Sequence, residues 1–339
     1  MTGLGLREYV LRRVATSIFI VIVIISLNFI IFDVMPGSPL QTFIQPGRIR
    51  DPSQLEALKK MFGLDKPAYV RYLIYMKNML TFNLGISFQS QKLITDEISE
   101  RLLNTFLLVG LSTIISIILG IIIGVYVAYK RGSVLDTGAV LFSLTFYSLP
   151  SFWIGLVLLM IFAVYLGWFP IAGATPREWG DPNIWPTPPQ WPQDWLEIIR
   201  GRLYHLALPL ITLVLFQVGG YILLTRAVMI ETLTEDYVLT ARAKGLPERT
   251  VLFKHALKNG SLPLITQIAL AFGFMFSGAI ITEQVFTYKG MGWWIWNSIF
   301  FHDYPVLQAV FYIIALCVVA ANLIADIIYG LLDPRIKYG

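Results

Sequence analysis

Residues able to carry chemistry are few in this chain, and their spacing excludes more than it offers. The three histidines, His205, His255 and His302, stand far apart without metal-ligand spacing, and no H-E-x-x-H occurs. Each reads as a capping or interfacial histidine. There is no G-x-x-x-x-G-K-[ST] phosphate loop; the Gly-Lys dipeptide itself is absent. The single cysteine, Cys317, lies in an apolar run, so it reads as a small buried hydrophobe and excludes a disulfide framework. Three acids, Asp33, Glu283 and Asp326, fall in or beside apolar stretches. Charge in hydrocarbon is costly unless it is buried against partners or hydrated, so each is read as a structural hydrogen-bonding or interfacial group, with a substrate role as the alternative.

What remains is the chemistry of recognition, concentrated in residues 234–250. Thr234 is placed to cap the first free N–H groups of a helix, with Glu235 and Asp236 where the helix dipole favours negative charge. Lys244 falls in the last turn, and Gly245 supplies the left-handed residue that ends the helix. Pro247 suits the first position of a second helix, with Glu248 beside it, running to Asn259 and Gly260. The acidic start and the Arg242 and Lys244 end allow oriented charge pairing, and Tyr237 and Leu239 offer apolar anchors. A helix, a glycine corner and a second helix form a knob suited to docking against another protein.

The elements that must hold this knob are membrane helices. Hydrophobic residues make up 56% of the chain and charged residues 14%, where a soluble domain carries roughly 25% charged residues. Six apolar segments reach the roughly 20 residues needed to cross a bilayer: residues 14–34, 105–129, 137–166, 203–225, 262–285 and 306–332. The first follows Arg7, Arg12 and Arg13 as a signal peptide would. Its apolar run is too long for one, and Met35-Pro-Gly-Ser-Pro39 is no small-residue cleavage site, so it reads as a retained helix. Pro150 and Pro209 are expected to kink or start helices. If six helices alternate, Lys130, Arg131, Arg335, Lys337 and the basic residues of the knob share one side with the N-terminal arginines. The positive-inside rule makes that side cytoplasmic and accounts for the net charge of +5.

Two regions fall on the opposite side. In residues 51–80 the spacing of Leu55, Leu58, Met61 and Phe62, then Tyr69, Tyr72, Leu73 and Met76, predicts short amphipathic helices. Residues 167–202 are rich in tryptophan (Trp168, Trp179, Trp185, Trp191, Trp195) and in proline (Pro176, Pro182, Pro186, Pro188, Pro189, Pro192), which keeps the segment extended and stiff. These tryptophans suit an interfacial belt or loop packing, or aromatic faces offered to a sugar or peptide; Trp293, Trp294 and Trp296 read as interfacial anchors. Polar residues within the helices, among them Thr16, Ser17, Ser26, Asn28, Ser112, Thr113, Ser116, Gln217, Gln267 and Asn322, fit either helix contacts or a polar path.

The pattern Asp236-Tyr-Val-Leu-Thr-Ala-Arg-Ala-Lys-Gly-Leu246, followed by Phe253-Lys-His-Ala-Leu-Lys-Asn259 and Leu262-Pro263, resembles the cytoplasmic coupling loop of ATP-binding-cassette importer permeases. It is most similar to the dipeptide/oligopeptide/nickel permease family, first of the two paired subunit types. Tyr9-Val-Leu-Arg-Arg13, Met35-Pro-Gly-Ser-Pro39, Gly63-Leu-Asp-Lys-Pro67, Asn83-Leu-Gly85, Glu100-Arg101-Leu102, Gly290-Met-Gly292 and Leu332-Asp-Pro-Arg335 extend the resemblance over essentially the whole chain. Leu239-Thr240-Ala241 stand where the general permease consensus has Glu-Ala-Ala, a departure common in the peptide-type branch, and Gly245 matches.

The resemblance implies an all-α polytopic membrane protein with the six-helix type I ABC importer permease fold. It also implies segments 1–34 (N-terminus and first helix), 35–101 (extracytoplasmic helical insertion) and 102–339 (five-helix core with the coupling loop at 226–262). Coupling to an ATPase would fall to Glu235, Asp236, Tyr237, Leu239, Ala241, Arg242, Lys244, Gly245 and Glu248. Expected partners are a homologous second permease, two cytoplasmic ATPase subunits carrying ATP and magnesium, and an extracytoplasmic binding protein, with no cofactor, metal, catalytic residue or nucleic acid on this chain. Cargo would be peptides or oligosaccharides, with nickel chelates as a relative's alternative. An ion-coupled carrier would need paired intramembrane acids and usually an internal repeat, and neither is visible.

Overall fold

A computed structural model describes residues 6–34, 66–180, 190 and 193–332. Expectations for Leu55, Leu58, Met61, Phe62, Trp185, Trp191, Pro182, Pro186, Pro188, Pro189, Pro192, Arg335 and Lys337 lie outside the described residues, as do the motifs 35–39 and 63–65. The helices are α1 (Leu6–Val34), α2 (Ala68–Leu80), α3 (Ile94–Tyr129), α4 (Val134–Ser148), α5 (Ser151–Tyr165), α6 (Trp195–Thr232), α7 (Asp236–Ala243), α8 (Glu248–Gly260), α9 (Leu262–Ser277), α10 (Ile280–Val285), α11 (Met291–Phe300) and α12 (Tyr304–Leu332). Among the described residues the one extended pairing is an isolated bridge between Ile86 and Leu93.

Among the described residues, four stretches are long and apolar enough to cross a membrane: Val10–Phe32, α3, α6 and Tyr304–Ile324. Two bent pairs bring the described candidates to six if each is one span: α4 with α5, bent by 100°, and α8 with α9, bent by 68°. Two helices expected to be continuous are broken, one at the α4–α5 bend and one after α9. The 137–166 run breaks at Leu149, held extended (φ −81°, ψ 138°) ahead of Pro150, as the clash between a proline ring and the preceding residue requires. The 262–285 run breaks at Gly278, whose φ of 80° lies in the left-handed region. Pro209, by contrast, sits inside a helix that continues through it.

The described residues form two compact units, those within 1–103 with 290–339, and those within 104–289. In the first, α1 packs on α12 and α2. Asn28 Nδ2 donates to the Tyr75 hydroxyl at 2.8 Å and to the Gln308 carbonyl at 2.9 Å, and Ser26 shares a 2.7 Å hydrogen bond with the Tyr72 hydroxyl. Helix α2 turns Tyr75 and Met79 inward while Tyr69 and Leu73 remain exposed, so its buried stripe is rotated from the expected one. Asp303 is buried at the start of α12, where it accepts from Ser87 Oγ (2.6 Å) and from the Phe88 and Gln89 N–H groups (3.0 and 3.1 Å). The Arg101 guanidinium lies 5.2 Å from the Trp293 ring centre and 5.8 Å from that of Trp294. Trp294 is buried and Trp296 exposed, so the three tryptophans do not act alike.

The second unit is built on α3 against α6. Gly120 and Gly124, four residues apart, let the backbones meet: a side-chain carbon on Gly124 would stand 2.6 Å from Thr225 Cβ and 2.9 Å from the Ile222 carbonyl oxygen. Close approach through small residues is how helices gain van der Waals contact where no hydrophobic force drives association. Along the same contact Thr113 Oγ1 donates to Gln217 Oε1 at 3.2 Å. The intramembrane polar residues Ser26, Asn28, Thr113 and Gln217 therefore serve helix contacts.

Candidate functional site

Helix α6 is longer than its apolar run predicts, because its polar ends stay helical; residues 195–202, expected as loop, are its first turns. It ends at Thr232, and the chain turns into α7 with Glu235 extended (φ −74°, ψ 143°) as the capping residue. Thr234 does not cap α7: its hydroxyl donates back to the Glu231 carbonyl at 2.7 Å. Without a side-chain cap, α7 depends on its inward face. Val238 is fully buried and Ala241 nearly so, in an apolar seat made by Val125 and Ala128 of α3, Met229 of α6, and Val251, Leu252 and Ala256 of α8. Burying the valine side chain contributes about 1.5 kcal/mol, more than a cap of this kind supplies on average.

Gly245 ends α7 with φ 73°, and its N–H donates to the Arg242 carbonyl at 2.9 Å. Across that corner Arg242 Nη2 donates to Glu248 Oε1 at 2.8 Å; both side chains are about a third exposed. A pair this open adds at most about 1 kcal/mol, so its effect is to orient the corner. Pro247 precedes α8, and Gly260 at its far end packs on Val228 and Thr232 of α6. Both ends of the knob are thereby tied to α6.

The expected coupling residues divide by direction. Glu235, Asp236, Tyr237, Leu239 and Lys244 are exposed together, with Leu239 at 52% and Tyr237 at 38%. Arg242 and Glu248 are engaged with each other, Gly245 shapes the corner, and Ala241 faces the seat, away from the exposed set. The outward set combines two acids, an aromatic ring, an aliphatic side chain and a lysine, the residue types that charge-guided protein contacts with apolar anchors use.

The acids divide as well. Glu283 is fully buried; Oε1 accepts from Thr105 Oγ1 at 2.8 Å and from the Ala279 N–H at 3.2 Å, which makes it a structural hydrogen-bonding group. Asp33 and Asp326 lie in α1 and α12, their side chains outside the described residues. The spacing argument missed Asp136, buried at the start of α4 and bonded twice to Arg226 of α6. The signal was present in Ser133-Val-Leu-Asp136: the Ser133 hydroxyl accepts from the Asp136 N–H at 3.3 Å, as a capping pattern predicts. A concavity of about 940 Å³ is lined by Arg177, Glu178, Glu197, Arg200, Tyr204 and His205 among others. His205 Nδ1 lies 3.2 Å from the Gly173 carbonyl, and Trp179 packs against Gly201.

Residues 120–338 match the family described as binding-protein-dependent transport system inner membrane component, and residues 6–109 match its N-terminal membrane-component counterpart. The chain is 37% identical over 331 residues, 97% of this chain and 99% of the relative, to the oligopeptide transport system permease protein AppB of Bacillus subtilis. It is 35% identical over 338 residues, 98% of this chain and 99% of the relative, to the di/tripeptide transport system permease protein DppB of Pseudomonas aeruginosa. A third relative, the dipeptide transport system permease protein DppB of Alkalihalophilus pseudofirmus, is 36% identical over 340 residues, 97% and 99% of the two chains. With a mostly helical fold and up to six described spans, this chain belongs to the family of binding-protein-dependent transport system inner membrane components, as a type I permease of the ATP-binding-cassette importers.

Proposed function

We propose that this chain is one of two homologous permease subunits of an ATP-driven importer in the cell membrane, with both termini cytoplasmic. Its cargo is peptides, received from an extracytoplasmic binding protein, and the names of relatives similar over nearly the whole chain support that reading. Oligosaccharides, the other cargo class that the family resemblance implies, are the second class to assay. Two cytoplasmic ATPase subunits, carrying ATP and magnesium, drive the cycle; this chain itself hydrolyses nothing. The ATPase docks on the outward face of α7, where Glu235, Asp236, Tyr237, Leu239 and Lys244 stand together.

One observation carries the coupling reading. Val238 and Ala241 seat α7 on the ends of α3 and α6 and on the body of α8 together, so a push on its outward face reaches several helices at once. Interfaces between packed helices shift as bodies rather than deforming continuously, so motion of the ATPase pair becomes motion of spans. The test is uptake by proteoliposomes holding this chain, its paired permease and the ATPases, with the binding protein outside. Accumulation of a labelled oligopeptide, but not of an oligosaccharide, only when ATP is supplied to the ATPase side is the expected result. Accumulation driven by an ion gradient without the ATPase subunits would overturn it.

A further inference from the structure

The apolar seat under α7 takes residues from α3, α6 and α8, and no residue of α4 belongs to it among the described residues. Helix α4 is nevertheless fastened at the same level. Asp136, 4% exposed, accepts from Arg226 Nε at 2.5 Å and from Arg226 Nη2 at 2.9 Å, and its Oδ2 also accepts from the Gly132 N–H at 2.9 Å. One carboxylate thus joins three parts: the turn that follows α3, the start of α4, and α6. Met229 of the seat lies one helical turn beyond Arg226, and Ala128 of the seat lies four residues before Gly132. Farther along the same pair of helices, the Ser143 backbone rests against Gly219, where an added side-chain carbon would come within 2.7 Å of the Ser143 carbonyl oxygen.

Asp136 is buried while the Arg226 side chain stays 26% exposed, so dehydrating the carboxylate offsets part of the attraction and the pair is a modest source of net stability; the best-attested use of such a pair is to select one register. The two-pronged Arg226–Asp136 geometry fits that use, since planar pairing fixes orientation as well as distance. We propose, on the reading that α7 is driven by an ATPase, that Asp136 and Arg226 are positioning residues that make α4, and with it the bent α4–α5 pair, move with α6. Without this clasp, force on α7 would reach α3, α6 and α8 while α4 lagged, and ATP would be hydrolysed with less substrate moved.

The experiment measures substrate transported per ATP hydrolysed in proteoliposomes of the full complex, for Asp136→Asn, Arg226→Gln, the double variant and Arg226→Lys. Coupling between sites is typically worth roughly 5- to 150-fold, so each neutralising single is expected to lower the ratio by about tenfold or more while its ATPase rate stays within about twofold. The double should be no worse than either single, because the two act as one unit, and Arg226→Lys, which keeps the charge and one bond, should fall between. If the neutral singles do not assemble, the ratio for Arg226→Lys decides alone. A wild-type ratio in the variants that assemble, or a parallel fall of transport and hydrolysis, would overturn the proposal. Leu239→Ala in the same preparation tests the underlying reading: if the ATPases co-purify with it as with the unaltered chain and the ratio is unchanged, the docking assignment fails, whatever Asp136 does.

Discussion

Val238→Ala separates the inward and outward faces of α7. Val238 is completely buried, among Val125, Ala128, Met229, Val251, Leu252 and Ala256. The substitution removes two methyl groups, worth about 0.8 kcal/mol each in transfer free energy, and leaves a small void that adds to the loss. The sum is about 2 kcal/mol. No side chain caps α7, so that loss falls on the one face holding the helix down, and local opening should become roughly 30-fold more frequent. Hydrogen–deuterium exchange of the purified complex, read on peptides spanning residues 236–243, reports this opening directly. Leu239→Ala, at a half-exposed position, should change the same exchange by less than about threefold, since little apolar area leaves the protein interior. Equal acceleration by the two variants, or none with Val238→Ala, would refute the seat as the source of α7's stability.

Three further outcomes follow from the geometry. Gly245→Val should destabilise the corner by about 1–2 kcal/mol through backbone strain alone, since φ is 73° and no atom lies within 4 Å of the added carbon; Gly245→Asn should be milder, and uptake assays rank the two. Gly124→Val should lower thermal stability of the detergent-purified chain by about 1–3 kcal/mol or more, because the obstacle includes the Ile222 backbone oxygen at 2.9 Å. Glu283→Ala should lower it by about 1–3 kcal/mol by leaving the Thr105 hydroxyl and the Ala279 N–H short of an acceptor, and Glu283→Gln, which keeps an acceptor oxygen, should cost less.

Features encoded by neighbouring residues were legible in the sequence; features that depend on distant partners were not. The Gly245 corner and the second helix after Pro247 could be read because left-handed backbone and proline placement are decided locally. The Thr234 cap was misread because α6 extends to Thr232 and leaves the hydroxyl within reach of the Glu231 carbonyl instead. The polar ends of α6 hid its length, since an apolar run marks the bilayer core and not where a helix stops. The local capping pattern places Asp136 at a helix start, but its pairing with Arg226, 90 residues away, and that of Asp303 with residues about 215 positions away are not local features. The Gly120-Ile-Ile-Ile-Gly124 spacing, absent from the sequence reading above, is a local helix-contact pattern. It needed no partner to be known, and the structure places it against Tyr221 and Thr225.

The central claim is that a separate ATPase docks on the outward face of α7. The most direct measurement is site-specific cross-linking in membranes containing the whole complex, with Cys317 replaced by serine and one cysteine introduced at a time. Leu239→Cys should cross-link to the ATPase subunit, with a yield that changes when ATP is added, and Val238→Cys, facing the seat, should not. Absence of a Leu239→Cys product in a complex that still transports, or equal products from both positions, would contradict the account.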